Sequence, residues 1–144
     1  MLTTLEKTIL LKSVPLFEDI PGEELSRVAQ IAEEKSFPAG TTIFRDGDHA
    51  DCLYVIVSGS VSIQKRGKEL AVLEQGSSIG EMAVLDSSPR SADVISVDAT
   101  AMLRVEQEQF LEIMQGVVRM LLGRLRRMDD LLADKAPVTA GKAG

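Results

Sequence analysis

The sequence predicts an α+β chain that is mainly β, an antiparallel barrel or sandwich flanked by N-terminal helices and a C-terminal helical segment. Three observations carry that prediction. Apolar residues recur at helical spacing towards both ends, the period shortens to strand alternation between Phe37 and about Val105, and glycines punctuate the middle stretch. Gly40, Gly47, Gly59, Gly67 and Gly76 fall at intervals of 7, 12, 8 and 9 residues, the rhythm of short strands joined by turns. A chain of 144 residues forms one domain of ordinary size and buries a core without disulfide or metal staples. Its 44% apolar and 26% charged residues are those of a globular protein.

The first predicted helix carries Leu2, Leu5, Ile9 and Lys12 at helical spacing, with Thr3 or Thr4 as its cap. Val14-Pro15-Leu16-Phe17 breaks it, and Pro21-Gly22-Glu23-Glu24 opens a second helix whose buried stripe is Leu25, Val28, Ala29 and Ala32. These helices occupy residues 1–36. The β body follows over residues 37–106. Leu53–Val57 is apolar on both faces, as a central strand requires, while Val61 and Ile63 alternate with Ser60, Ser62 and Gln64 and predict one wet face. Arg66-Gly67-Lys68 reads as a hairpin tip leading to Leu70–Leu73. Val94, Ile95 and Val97 are expected to form a further hairpin with Ala101–Val105. Helical spacing returns with Phe110, Ile113, Met114 and Val117 and runs through Leu132 until Ala136-Pro137, giving a helical segment over 107–134 and a flexible tail over 135–144.

Charge excludes several functions. Sixteen basic against 22 acidic residues give a net −6, the wrong sign for neutralising a nucleic-acid backbone. Four Phe, one Tyr and no Trp leave little for stacking bases. No apolar run is long enough to cross a membrane, and the Met1–Leu16 start does not look like a signal peptide. One cysteine cannot form an internal disulfide, so a reducing cytoplasm is expected. The charge is uneven: residues up to Gln115 hold 10 basic and 19 acidic groups, whereas the stretch from Gly116 holds 6 and 3.

One segment stands apart. Gly80-Glu81-Met82-Ala83-Val84-Leu85 and, four residues on, Pro89-Arg90-Ser91-Ala92 read as a glycine, one helical turn, a polar loop and an arginine at the start of a strand. Gly80 permits a backbone conformation or a close approach that a side chain would block. The first amides of the turn, near Met82 and Ala83, lack intrahelical partners and are potential anion donors. Arg90 brings a planar fork of donors suited to phosphate, and an ionised Glu81 only accepts, which suits the paired hydroxyls of a ribose. The residues alone leave this reading open beside a plain surface loop with an Arg90–Glu81 ion pair.

The same stretch resembles the phosphate-binding cassette of the cyclic-nucleotide-binding domain family, which includes the bacterial catabolite activator protein and the regulatory subunits of cAMP-dependent protein kinase. The resemblance runs from about Leu11 to Met114. It also draws on Val14-Pro15-Leu16-Phe17 with Leu25, on Phe37 to Phe44 followed by Asp46-Gly47-Asp48, and on Tyr54 to Val61, which resembles the family's central hairpin. It implies an antiparallel β-roll or jelly roll, with the cassette at 79–92, and a regulatory module without catalysis. It further implies that Glu81 accepts from the ribose 2′-hydroxyl, Arg90 binds the exocyclic phosphate oxygens, and Ser91 and the Ala83 amide complete the phosphate contacts. Gly80 would permit the turn, and Ala92 closes the segment. Met82 departs mildly from the family's usual Leu or Ile. Serine rather than threonine at position 91 favours cAMP over cGMP as the regulatory ligand, and no cofactor or metal is expected.

Val118, Leu121, Leu125, Met128 and Leu132 step by 3, 4, 3 and 4, a heptad seam. The resemblance gives such a helix two roles, a dimer axis or a lid over the base. It also implies a switch in which Met82 repacks against Phe110 and a hinge near Gln115-Gly116 moves the terminal helix. The chain ends soon after Leu132, so the expected output passes through an effector protein or a further domain. Cys52 reads as a small buried hydrophobe and His49 as a solvated turn residue. Glu23-Glu24 and Glu33-Glu34 read as solvent faces of helices, and Ser87 and Ser88 lack a neighbouring His to activate them. Two alternatives remain at this level: a degenerate fold serving dimerisation or protein interaction, and a small sugar- or acid-acting enzyme barrel, for which convergent ligands are lacking.

Overall fold

The computed structural model describes residues 1–135. The expected helix stop at Ala136-Pro137 and all of the expected tail beyond Lys135 lie outside the described residues. Contacts divide the chain into two units, residues 1–113 and the segment from Met114 onward.

Helix α1 (Thr4–Lys12) opens on a capping box: the Thr3 hydroxyl accepts from the Glu6 amide, and the Glu6 carboxylate accepts from the Thr3 amide, each at 3.1 Å. Its outward face carries Leu5 and Ile9, both exposed. Leu11 is buried instead, and Lys7 Nζ donates to the Ala32 carbonyl at 3.0 Å. After a 3₁₀ turn at Pro15–Phe17, helix α2 (Gly22–Ile31) buries the predicted Leu25, Val28 and Ala29, with Ala32 buried just beyond its end.

Among the described residues, eight strands form two four-stranded antiparallel sheets. One has the order β1 (Glu33–Phe37), β8 (Thr100–Glu106), β3 (Cys52–Ser58) and β6 (Ser78–Ile79). The other has the order β2 (Thr42–Phe44), β7 (Asp93–Ser96), β4 (Ser60–Lys65) and β5 (Lys68–Glu74). This is the expected antiparallel β-roll with flanking helices. The first strand begins at Glu33 rather than Phe37, pairing with β8 from Glu33 opposite Arg104; its Glu33–Ser36 stretch is exposed and carries no apolar alternation that would reveal it in sequence.

Two expected hairpins prove to be corners. Strands β7 and β8 lie in different sheets, as do β3 and β4, so neither pair is hydrogen-bonded together. The two corners pack on each other. The Asp98 carboxylate accepts from the Ser60 amide at 2.8 Å, and a Cβ on Gly59 (φ +85°) would stand 2.5 Å from the Ala99 carbonyl oxygen. The β4–β5 connection is a true hairpin with Arg66 and Gly67 both at positive φ, the mirror-image turn that matches strand twist.

The core between the sheets gathers Phe44, Cys52, Tyr54, Ile56, Val61, Ile79, Val94 and Met102. Leu53 and Val55 of β3 are fully buried on the opposite face, so this strand is covered on both sides as its composition predicts. Strand β4 departs from expectation. Ser62 is buried rather than wet, its hydroxyl donating to Glu69 at 2.7 Å and accepting from Gln64 at 3.1 Å.

Helix α4 runs from Gln107 to Lys135. Its first turns belong to the first unit and bury Phe110 and Ile113. Its remainder makes up the described part of the second unit. Helical structure continues through Gln115 and Gly116, where a hinge was expected. No described helix is long and apolar enough to cross a membrane.

Candidate functional site

Seven residues singled out in the sequence line one cavity of about 240 Å³: Gly80, Glu81, Met82, Ala83, Arg90, Ser91 and Ala92. Helix α3 (Glu81–Asp86) forms one wall. Gly80 caps it at φ +83° and offers no side chain to its first amides, so those of Glu81, Met82 and Ala83 precede the first helical bond, from Val84 N to the Gly80 carbonyl. The helix stops at Ser87, also at positive φ, and the Asp86 carboxylate then accepts from Ser88 N at 3.0 Å and Ser88 Oγ at 2.6 Å. That bonding holds the Asp86 carboxyl below its usual value, first through the serine hydroxyl and then through the amide. Arg90 lies in the loop ahead of β7, not at the start of a strand.

Arg90 is only 4% exposed. Its Nη1 donates to the Gly80 carbonyl at 3.2 Å, its Nη2 donates to the Cys52 carbonyl, and the Cys52 sulfur lies 3.7 Å from Nη2. The buried Nε–H has no partner, and among the described residues the guanidinium forms no ion pair with a carboxylate. The Arg90–Glu81 ion pair that the sequence left open is therefore not formed. Burial pulls the Arg90 pKa down, opposed by the nearby Cys52 and Asp51. A buried cation with donors to spare and no carboxylate in direct contact is expensive unless an anion completes it.

Gly80 makes this placement possible. A Cβ there would stand 2.2 Å from Arg90 Nη1 and 3.2 Å from Phe44 Cε2. The backbone of Arg90 is clamped by the turn after β2: Gly47 N donates to the Arg90 carbonyl at 2.7 Å, and Arg90 N donates to the Asp48 carbonyl at 2.8 Å.

The sequence reading missed these supports and much of the cavity wall. Phe44, Ile63, Leu73, Ser78, Ile79 and Val94 complete the lining. The available signal was the Phe44 to Asp48 stretch, read for its turn but given no part in the site.

The remaining candidates fall elsewhere. Phe110 is fully buried against Phe17, ring centroids 5.9 Å apart, whereas Met82 is 66% exposed in the cavity wall, so neither side chain is placed as a packed pair would be. In the second unit Val118, Leu121, Leu125, Met128 and Leu132 are all exposed, as are Leu122 and Leu131, which widen the seam. Cys52 is buried as expected, and burial pushes its thiol up. His49 is exposed as expected. Among the described residues no cluster of His, Cys, Asp and Glu could hold a metal ion.

A family model described as a cyclic nucleotide-binding domain matches residues 34–116. The cyclic AMP receptor protein of Thermus thermophilus is 32% identical over 138 residues, covering 85% of this chain and 64% of its own. An uncharacterized NTE family protein of Mycobacterium tuberculosis is 29% identical over 133 residues, and the chain spans 92% of its own length but only 23% of that relative. Among solved structures, the regulatory domain of Toxoplasma gondii PKA in complex with cAMP matches with a TM-score of 0.72 and 25% identity over 86% of this chain and 50% of that one.

Proposed function

The chain belongs to the cyclic nucleotide-binding domain family, and from that membership we propose that it is a non-catalytic sensor that binds cAMP in preference to cGMP. Arg90 carries the reading: a buried guanidinium without a carboxylate partner, with an unpartnered Nε–H, in the wall of a cavity that also presents Glu81 and Ser91. In this assignment Arg90 binds the exocyclic phosphate oxygens, helped by the Ser91 hydroxyl and the Ala83 amide. Glu81 accepts from the ribose 2′-hydroxyl. The cavity supplies apolar contact through Ile63, Leu73 and Val94. Ser91 rather than threonine underlies the preference for cAMP.

The output is movement of the C-terminal helix. Phosphate draws α3 inward, Met82 repacks against Phe110, and the helix beyond Gln115-Gly116 changes position. Ligand shifts that equilibrium only by its difference in affinity for the two states, and a nearly complete switch needs a difference of about 10⁴-fold. The exposed seam from Val118 to Leu132 supports a homodimer as the structural readout, with an effector protein or a further domain receiving the signal. A reducing cytoplasm suits a chain whose single cysteine is buried and unpaired.

Thermal unfolding with and without nucleotide tests the reading. At 100-fold over its dissociation constant, cAMP stabilises the fold by about 2.7 kcal/mol, and cGMP does so only at higher concentration. No shift with either nucleotide at millimolar concentration would overturn it.

A further inference from the structure

We propose that Phe44 is a positioning residue for the anion site, its electron-rich ring face holding Arg90 without spending the donors a phosphate needs. The proposal rests on the reading of Arg90 as a phosphate ligand and adds a residue on a distant strand to that site.

The Arg90 Cζ lies 3.6 Å from the centroid of the Phe44 ring. Both side chains are buried, at 4% and 7% exposed, so the contact is desolvated and the attraction between cation and ring face is near its strongest. The ring is not free to swing away. It packs on Tyr54 at 5.5 Å between centroids, and Tyr54 packs edge-on against Phe37 at 5.9 Å and 82°. Strand β2 sets Phe44 opposite Val94 of β7, the strand that follows the Arg90 loop. Three of the chain's five aromatic residues thus form a row that ends under one guanidinium.

The chemistry explains why a ring serves better here than a carboxylate. A carboxylate would occupy the in-plane N–H fork and neutralise the charge, competing with phosphate for both. A ring face attracts the cation from above its plane and leaves the in-plane donors and the net charge intact. The Gly80 and Cys52 carbonyls fix part of the fork, and the Nε–H stays unspent. Without the ring, those two carbonyls alone hold the guanidinium, and the orientation they leave unfixed is ordered when ligand arrives, at a cost to affinity.

The test replaces Phe44 with phenylalanines carrying one, two and three ring fluorines, which withdraw charge from the ring face with little change of shape. Affinity for cAMP is measured by titration calorimetry, alongside the unfolding midpoint of each variant. Affinity should fall stepwise with fluorine number, by about tenfold across the series, and Phe44→Leu should lose at least as much. A flat series in protein that binds cAMP would overturn the proposal and leave the reading of Arg90 standing. If unmodified protein fails to bind either nucleotide, that reading falls and the proposal falls with it.

Discussion

Gly80 and Arg90 are packed so closely that a single added carbon would separate them: a Cβ on Gly80 would lie 2.2 Å from Arg90 Nη1, whose hydrogen bond goes to the Gly80 carbonyl at 3.2 Å. The same glycine turns the chain at φ +83° and opens α3 without a capping side chain. One residue therefore starts the helix, leaves its first amides unengaged, and makes room for the cation. The cradle and the charge are built as one unit.

Gly80→Ala should accordingly damage both fold and site. The substitution meets a disfavoured backbone region and displaces a buried guanidinium, and about 1–3 kcal/mol of stability should be lost. Denaturant unfolding reads the stability and calorimetry reads the loss of cAMP affinity. Unchanged affinity in the folded variant would show that Arg90 need not sit where it does.

The cassette was legible in the sequence because its parts are contiguous: Gly80 through Ala92 turn back on themselves within one loop and helix, and their chemistry can be read in order. Phe44 and the Gly47–Asp48 clamp were not, because only the pairing of β2 with β7 brings them to Arg90. The helices and central strand β3 were legible through their apolar pattern. The corners at Gly59 and Asp98 were not, because two strands joined by a short turn look alike in sequence whether they pair or part into separate sheets. Ser62 looked like a wet position, and only its bonds to Glu69 and Gln64 across the hairpin explain its burial.

The Asp86 turn should respond to acid in a defined direction. Its carboxyl is held below the usual value near 3.8 by Ser88, so its contribution is present above that value and is lost as pH falls through the lower folded pKa. Asp86→Asn keeps an acceptor for Ser88 and removes the titration. Between about pH 5 and pH 2 the variant's unfolding midpoint should fall less than that of the parent protein. Parallel curves would show that the turn contributes nothing to acid stability.

The exposed seam on the second unit predicts self-association. Sedimentation should find the parent protein as a dimer, and Leu125→Asp, which puts a charge in the middle of the seam, as a monomer. A parent protein that is monomeric with and without cAMP would assign the helix to a lid instead.

The central claim is that Arg90 is the anion anchor of a cyclic-nucleotide site, and titration of cAMP into the parent protein and Arg90→Ala tests it most directly. Removing a charge-assisted contact should weaken binding by about 10- to 100-fold, while Glu81 and the apolar wall retain residual affinity. Equal affinity in the two proteins would contradict the account.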